Sequence, residues 1–178
     1  MFSDIYIEYM VKKKLDTKDK LICVALATLA LVLTIVLFFV SVAVIPALST
    51  IVTLLIVAMW YGCYILICRR MIEYEYLLTN SEMDIDKIIA KRRRKRVMSL
   101  DFKEADLVAC VKDPAHNRVL ETNSKLIVDY SGDSELYDVY FADITVNGER
   151  NIVLFRPTEK MLEGIRRFNP RNVFIMNN

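Results

Sequence analysis

Residues 21–68 contain no charged side chain, and Lys or Arg residues flank the stretch on both sides. A lipid bilayer explains this pattern, because its hydrocarbon core penalises ionised groups and favours apolar ones. One helix crosses the hydrocarbon with about 20 apolar residues, so the stretch is too long for one span and sufficient for two. We therefore predict a two-span transmembrane hairpin within residues 21–70, with spans at about 21–45 and 50–68.

The break between the two spans is expected near Pro46. Proline lacks an amide hydrogen and disfavours the helical conformation of the residue before it. Ser49 and Thr50 then offer side-chain oxygens that can cap a second helix. A cleaved signal peptide is the competing interpretation. Its apolar core would span only about 7–15 residues, and no second span would follow.

The positive charges predict the orientation of the hairpin. The connection between the spans has no Lys or Arg, whereas cations precede the first span and follow the second. Cytoplasmic flanks carry the excess of Lys and Arg, so both termini are expected in the cytoplasm of a multi-pass protein of the cell (inner or plasma) membrane. The flanking cations are Lys12, Lys13, Lys14, Lys18, Lys20, Arg69 and Arg70.

The spans offer few functional groups. They lack the ionisable side chains that ion and proton pathways usually contain, so transport is not expected, although an oligomeric pore stays open. Ala58 and Gly62 form a small-xxx-small pair, which lets two helices approach closely. Ordinary packing inside the hairpin is favoured over a dimer interface at this pair.

Residues 1–20 are predicted to form a cytoplasmic amphipathic segment. An apolar stripe at helical spacing within residues 2–14 favours a short helix there. Such a helix could lie on the inner leaflet or dock on the cytoplasmic domain, and the pattern leaves both open. The stripe consists of Phe2, Ile5, Tyr6, Tyr9 and Met10.

Residues 71–178 switch to short alternating runs, which predict a mainly-β cytoplasmic domain of the α+β class. Seven strands are expected, followed by a helix from Thr158 to about Phe168 and a packed tail at 173–175. Asn147-Gly148 is a hairpin signal. This segment carries nearly balanced charge, so nucleic-acid binding is not expected.

This order of elements resembles a pleckstrin-homology-like (PH-like) barrel. The motifs that carry the resemblance are Tyr76-Leu77-Leu78-Thr79-Asn80 and, after the basic run, Met98-Ser99-Leu100-Asp101-Phe102. Bacterial PH-like domains often follow a transmembrane hairpin, and the opening Asp4-Ile5-Tyr6-Ile7-Glu8 is similar to that of small uncharacterised bacterial membrane proteins. The resemblance implies a seven-strand barrel with a C-terminal helix. An open antiparallel sheet with the helix packed on it is the alternative.

The sharpest local feature is a run of six cations between the second and third predicted strands of this domain. Like charges repel, so the run needs solvent or an anionic partner. On a turn near the bilayer, each cation could gain about 1 kcal/mol from anionic lipid head groups. A solvated turn and contact with protein or nucleic acid are the alternatives. The run is Lys91, Arg92, Arg93, Arg94, Lys95 and Arg96.

No pattern in the chain predicts catalysis, a cofactor or a metal site. The Cys residues lack metal-ligand spacing, His116 is the only His, and no phosphate-binding glycine loop occurs. We therefore expect a membrane-tethered binding or scaffolding module that is not an enzyme. Its partner would be anionic lipid, another protein or a second copy. The alternative function is a structural subunit of a membrane complex, or a small pore built from the hairpin.

Overall fold

A computed structural model describes residues 4–43, 49–116, 118–122, 127–132, 138–146 and 148–176. The chain divides into two compact units. The helical unit is the continuous segment Leu15–Met71, whereas the second, mainly-β unit combines Met1–Lys14 with Ile72–Asn178. The helical unit is therefore an insertion within the β unit.

The helical unit contains two helices, α1 (Thr17–Ala43) and α2 (Ser49–Cys68). Both are long and apolar enough to cross a membrane, and only 6% of the most apolar window of each is buried. Pro46, the predicted break, lies outside the described residues. The Trp60 indole N–H donates a hydrogen bond to the Thr34 hydroxyl (3.0 Å), and Arg70 pairs with Asp19 (2.9 Å) near the two ends of the unit.

The helix expected over residues 2–14 is wrong, because this segment forms a strand, β1 (Tyr6–Lys12). The apolar residues fit a period of two as well as a helical period. Ile5, Ile7 and Val11 are β-branched and favour a strand. These inward residues join the core, whereas Tyr6 and Met10 remain 65% and 45% exposed.

Two four-stranded sheets make up the β unit. Sheet A has the order β1-β2-β3-β4, and sheet B has the order β5-β7-β8-β6. All neighbours pair antiparallel except β6 and β8, which run parallel. The strands are β2 (Ile72–Thr79), β3 (Glu82–Ile89), β4 (Arg93–Asp101), β5 (Ala105–Cys110), β6 (Ile127–Asp129), β7 (Tyr140–Val146) and β8 (Glu149–Phe155).

The predicted hairpin turn joins β7 to β8. Val146 pairs with Glu149, and Gly148 adopts φ +82°, a conformation that suits glycine. Asn147 lies outside the described residues.

A large core lies between the sheets and the C-terminal helix α4 (Glu159–Phe168). The short helix α3 (Arg118–Thr122) packs against a second, smaller cluster of sheet B. Thr158 caps α4, since its hydroxyl accepts a hydrogen bond from the Met161 N–H. The Tyr76 hydroxyl donates to the Tyr130 carbonyl (2.7 Å) and accepts from the Arg156 N–H (3.3 Å), and burial raises the pKa of Tyr76. A buried tyrosine thus ties the two sheets together.

The C-terminal tail pairs with the free edge of β5. The Val108 N–H donates to the Asn172 carbonyl (2.8 Å), and the Phe174 N–H donates to the Val108 carbonyl (2.9 Å). Val173 between them is 2% exposed and belongs to the core. The tail expected to pack at residues 173–175 therefore covers a strand edge.

The predicted seven-strand closed barrel needs correction. Among the described residues there are eight strands in two sheets, and the barrel does not close. The strand that the prediction lacked is β1, where a helix was expected, and β6 forms a short parallel pairing with β8 at the edge of sheet B. The edge strands β1 of sheet A and β6 of sheet B approach each other at the open seam of the barrel. There Gly132, just after β6, accepts a hydrogen bond from the N–H of Lys14, just after β1 (2.7 Å).

Alanine substitutions in β1 distinguish the strand from the expected helix. We predict that Val11→Ala lowers the free energy of unfolding by about 1.5–3 kcal/mol, because Val11 is buried in the core. Met10→Ala should change it by less than about 0.5 kcal/mol. Urea titration of the detergent-solubilised chain, followed by amide exchange in the β unit, measures both. A larger loss for Met10 than for Val11 would support the helix.

Candidate anion-binding surface

The basic run does not form a simple loop. Its first residues form the tight turn between β3 and β4, and Arg93–Arg96 already belong to β4. Ala90 and Lys91 both have positive φ (54° and 55°), and the Arg92 N–H donates to the Ile89 carbonyl (3.1 Å). Three residues connect the strands, and turn positions with positive φ usually contain Asn or Gly. Side chains at these two positions therefore strain the backbone, while Lys91 is held at the tip.

Strand alternation sorts the run onto the two faces of sheet A. Arg94 lies opposite Ile88, and Arg96 lies opposite Asp86, which itself lies opposite Glu75. Directly opposed residues of an antiparallel pair share a face. Arg94 and Arg96 therefore lie on the face that carries these carboxylates, away from the core.

On that face the two arginines neutralise buried acids. Arg94 forms ion pairs with Glu75 and with Asp86 (3.5 Å), and Arg96 forms ion pairs with Asp84 (2.8 Å) and Asp86 (3.5 Å). Glu75 is 1% exposed and Asp86 5%. Burying these charges would be costly without paired cations. Arg94 and Arg96 thus stabilise the β unit by pairing with these carboxylates.

The opposite face carries cations without such partners. Lys95 lies opposite Lys87, and Lys87 lies opposite Tyr74, which belongs to the core. Arg93 follows on the same face. Among the described residues, no carboxylate forms an ion pair with Lys87, Lys91, Arg92, Arg93 or Lys95. We call these five residues the basic rim.

The basic rim lies at the end of sheet A where the chain leaves and re-enters the β unit. The Lys13 N–H donates to the Ile72 carbonyl (2.9 Å), Ile72 lies opposite Ile89, and Ile89 lies opposite Arg93. Adjacent strands are about 4.8 Å apart, so Arg93 is about 10 Å from Ile72 across the sheet. The β unit is interrupted after Lys14 and resumes at Ile72.

Lys87 was missed by the sequence analysis, which treated the six consecutive cations as one group. A single lysine in a strand that already contains several charged residues gives no signal by itself. Only the register of β3 with β4 reveals that Lys87 shares a face with Lys95. The register also depends on an irregularity between Ile85 and Asp86, which changes which residues of β4 face the core.

The packing expected for Ala58 and Gly62 inside the hairpin is wrong. Ala58 is exposed, and a Cβ built at Gly62 would meet no atom within 4 Å. The buried members of the two helices are instead Cys63, Ala30 and Ser41. The small-residue pair therefore lies on a side of α2 that does not pack against α1.

The remaining candidates form no reactive centre in the described residues. His116 Nδ1 lies 2.7 Å from Asp113, and the hydrogen bond from His116 lowers the pKa of the Asp113 carboxyl. The His116 ring stacks on Phe174, with the centroids 4.2 Å apart. The four cysteines are free, and no three potential ligands in the described residues are grouped to hold a metal ion.

The fold places the chain in a recognisable class. Two apolar helices accompany a β domain with two sheets and a C-terminal helix, which is the α+β arrangement of PH-like domains. A family model described as "Bacterial PH-like domain (DUF6106)" matches residues 3–175. The chain belongs to this family, and the match includes the helical insertion. No curated protein and no solved structure matches the chain significantly.

Substitutions within the basic run separate the two groups of cations. We predict that Arg94→Ala lowers the free energy of unfolding by about 2–3 kcal/mol, because it leaves the buried Glu75 carboxylate without its cation. Lys95→Ala, the adjacent matched control, should change it by less than about 0.5 kcal/mol. Urea titration at neutral pH compares them. Equal losses would contradict the sorting of the charges.

Proposed function

We propose that this protein is a membrane-anchored binding module, not an enzyme, and that its basic rim contacts anionic lipid head groups. The observation that carries the proposal is the sorting of charge across sheet A. Arg94 and Arg96 form ion pairs with carboxylates of sheet A. The residues of the basic rim are available to an external anion: Lys87, Lys91, Arg92, Arg93 and Lys95.

The short connection between α2 and β2 supports contact of the basic rim with the bilayer. Three residues separate Cys68, the last residue of α2, from Ile72. A short extended segment spans at most about 3.6 Å per residue, so only a short connection joins the end of α2 to the start of β2. If α1 and α2 cross the bilayer with the flanking cations on the cytoplasmic side, this connection tethers the basic rim within reach of the inner leaflet.

The electrostatics favour lipid over nucleic acid. The surface potential of anionic lipid attracts clustered Lys and Arg by about 1 kcal/mol per residue, and the attraction decays within the Debye length. The β unit as a whole has nearly balanced charge, in contrast to the strongly basic domains typical of nucleic-acid binding. Lipid contact would also explain why a strained turn presents Lys91 at its tip.

Hydrogen exchange of the full chain in lipid nanodiscs tests the proposal. We expect the backbone amides of residues 89–93 to exchange at least about threefold more slowly with phosphatidylglycerol than with phosphatidylcholine. High salt should abolish the difference, because it screens the attraction. The combined variant Lys91→Gln, Arg92→Gln, Arg93→Gln and Lys95→Gln should also abolish it.

Arg166→Gln with Arg167→Gln is the matched control, because both are exposed cations on α4. This control should keep the lipid-dependent difference. Identical exchange of the wild-type chain in the two lipids would exclude lipid contact by the basic rim.

A structural subunit of a membrane complex is the second candidate, favoured by the exposed Ala58 and the open space at Gly62. A second helix could approach α2 closely there. If so, energy transfer between labelled chains in vesicles should fall when Gly62→Leu fills the space. Val57→Leu, at another exposed position of α2, is the control. Unchanged transfer in both variants would remove this candidate.

A further inference from the structure

The outer edge of β1 offers unused backbone groups. Hydrogen bonds from Asn80 to Ile5 and from Lys13 to Ile72 fix the odd-numbered residues of β1 as those bonded to β2. The N–H and C=O groups of Tyr6, Glu8 and Met10 consequently point away from the sheet. Among the described residues, none of these outward groups has a backbone partner.

The edge is covered at its C-terminal end, next to Lys12 and Lys14. Gly132 accepts a hydrogen bond from the Lys14 N–H, and a Cβ built on Gly132 would lie 3.2 Å from the Lys12 carbonyl oxygen. Among the described residues, the part of the edge without a neighbouring strand is therefore Tyr6–Met10, which is long enough for about five residues of an added strand.

A groove of about 600 Å³ lies beside this edge, at the open seam of the barrel. Its lining combines Tyr9 of β1 with apolar residues of α4 and of the tail, and with a polar end formed by Arg156 and Asp138, which pair at 3.1 Å. Leu162, Ile175 and Met176 supply the apolar part, and Glu159 adds a carboxylate. In a strand added to β1, the side chain opposite Tyr9 would lie on the face of the sheet that borders this groove.

A second copy of the chain fits this edge poorly. In a symmetric antiparallel pair of β1 edges centred on Ile7, Glu8 or Tyr9, Glu8 lies opposite Tyr6, Glu8 or Met10. A pair centred on Met10 would bring Lys12 opposite Glu8, but Gly132 already lies at Lys12. No available register therefore places a cation opposite Glu8. Like charges directly opposite each other destabilise a sheet. The edge therefore favours a strand of different sequence.

We propose that the open edge of β1 binds an extended peptide segment of another protein by adding it as a fifth strand to sheet A. Charge complementarity specifies a basic residue opposite Glu8. Ile7 and Tyr9 pack against the core on the inner face, so apolar residues are favoured opposite them. Backbone hydrogen bonds would supply the affinity, and the side chains opposite Ile7, Glu8 and Tyr9 would supply the selectivity. The proposal shares with the lipid-contact proposal only the premise of a binding module.

Residue-resolved amide exchange of the full chain in phosphatidylcholine nanodiscs tests the proposal without any contribution from anionic lipid. The probe is the synthetic peptide acetyl-Thr-Val-Lys-Val-Thr-amide at millimolar concentration. We expect the outward amides of Tyr6, Glu8 and Met10 to exchange at least about fivefold more slowly with the peptide. The corresponding peptide with Glu in place of Lys should have no effect.

Two variants sharpen the test. Glu8→Lys should reverse the preference to the Glu peptide. Met10→Pro removes one outward N–H and should abolish binding while the inward amides of Ile7 and Val11 remain protected, because proline is tolerated on a sheet edge.

Four results would overturn the proposal. They are no slowing with either peptide, equal slowing with both, slow exchange of the outward amides before peptide is added, and slowing that grows with protein concentration. The last two would show that this chain or a second copy already covers the edge. None of these results bears on the lipid-dependent exchange of residues 89–93.

Discussion

The pairing of β1 with β2 is the constraint on which the rest of the structure depends. These strands are adjacent in sheet A, yet the helical unit separates them in the chain. Without β1, the inward side chains Ile5, Ile7, Tyr9 and Val11 would leave the core, and β2 would become an exposed edge. Closing so long an insertion costs entropy, which these burials and the backbone ladder must offset.

This pairing also organises the proposed surfaces. The end of sheet A that carries Lys13 and Ile72 also carries the β3–β4 turn, so the basic rim lies next to both connections to the helical unit. The outer edge of β1 lies at the opposite margin of the same sheet. One sheet thus presents cations at its end and unused backbone groups along its side, which suits a module that binds two partners.

The sequence was most informative where one pattern had one explanation. The uncharged stretch predicted both helices, and the helix expected from Thr158 to about Phe168 is present as α4. The helix predicted for the N-terminal segment was wrong because the apolar residues there fit the helical period and the strand period equally well. Only the pairing with the edge of β2 decides in favour of the strand. The division of the basic run into paired and unpaired cations could not be predicted for a related reason: it follows from cross-strand register, which depends on an irregularity between β3 and β4.

A cross-strand disulfide tests the central pairing most directly. Lys12 and Glu73 lie opposite each other in a non-hydrogen-bonded pair, a geometry in which the Cα atoms are close enough for a disulfide. With the four native cysteines replaced, Lys12→Cys with Glu73→Cys should oxidise within one chain to near completion in membranes, whereas Lys12→Cys with Thr79→Cys should not. Failure of the first pair to oxidise, or oxidation only between chains, would contradict the account.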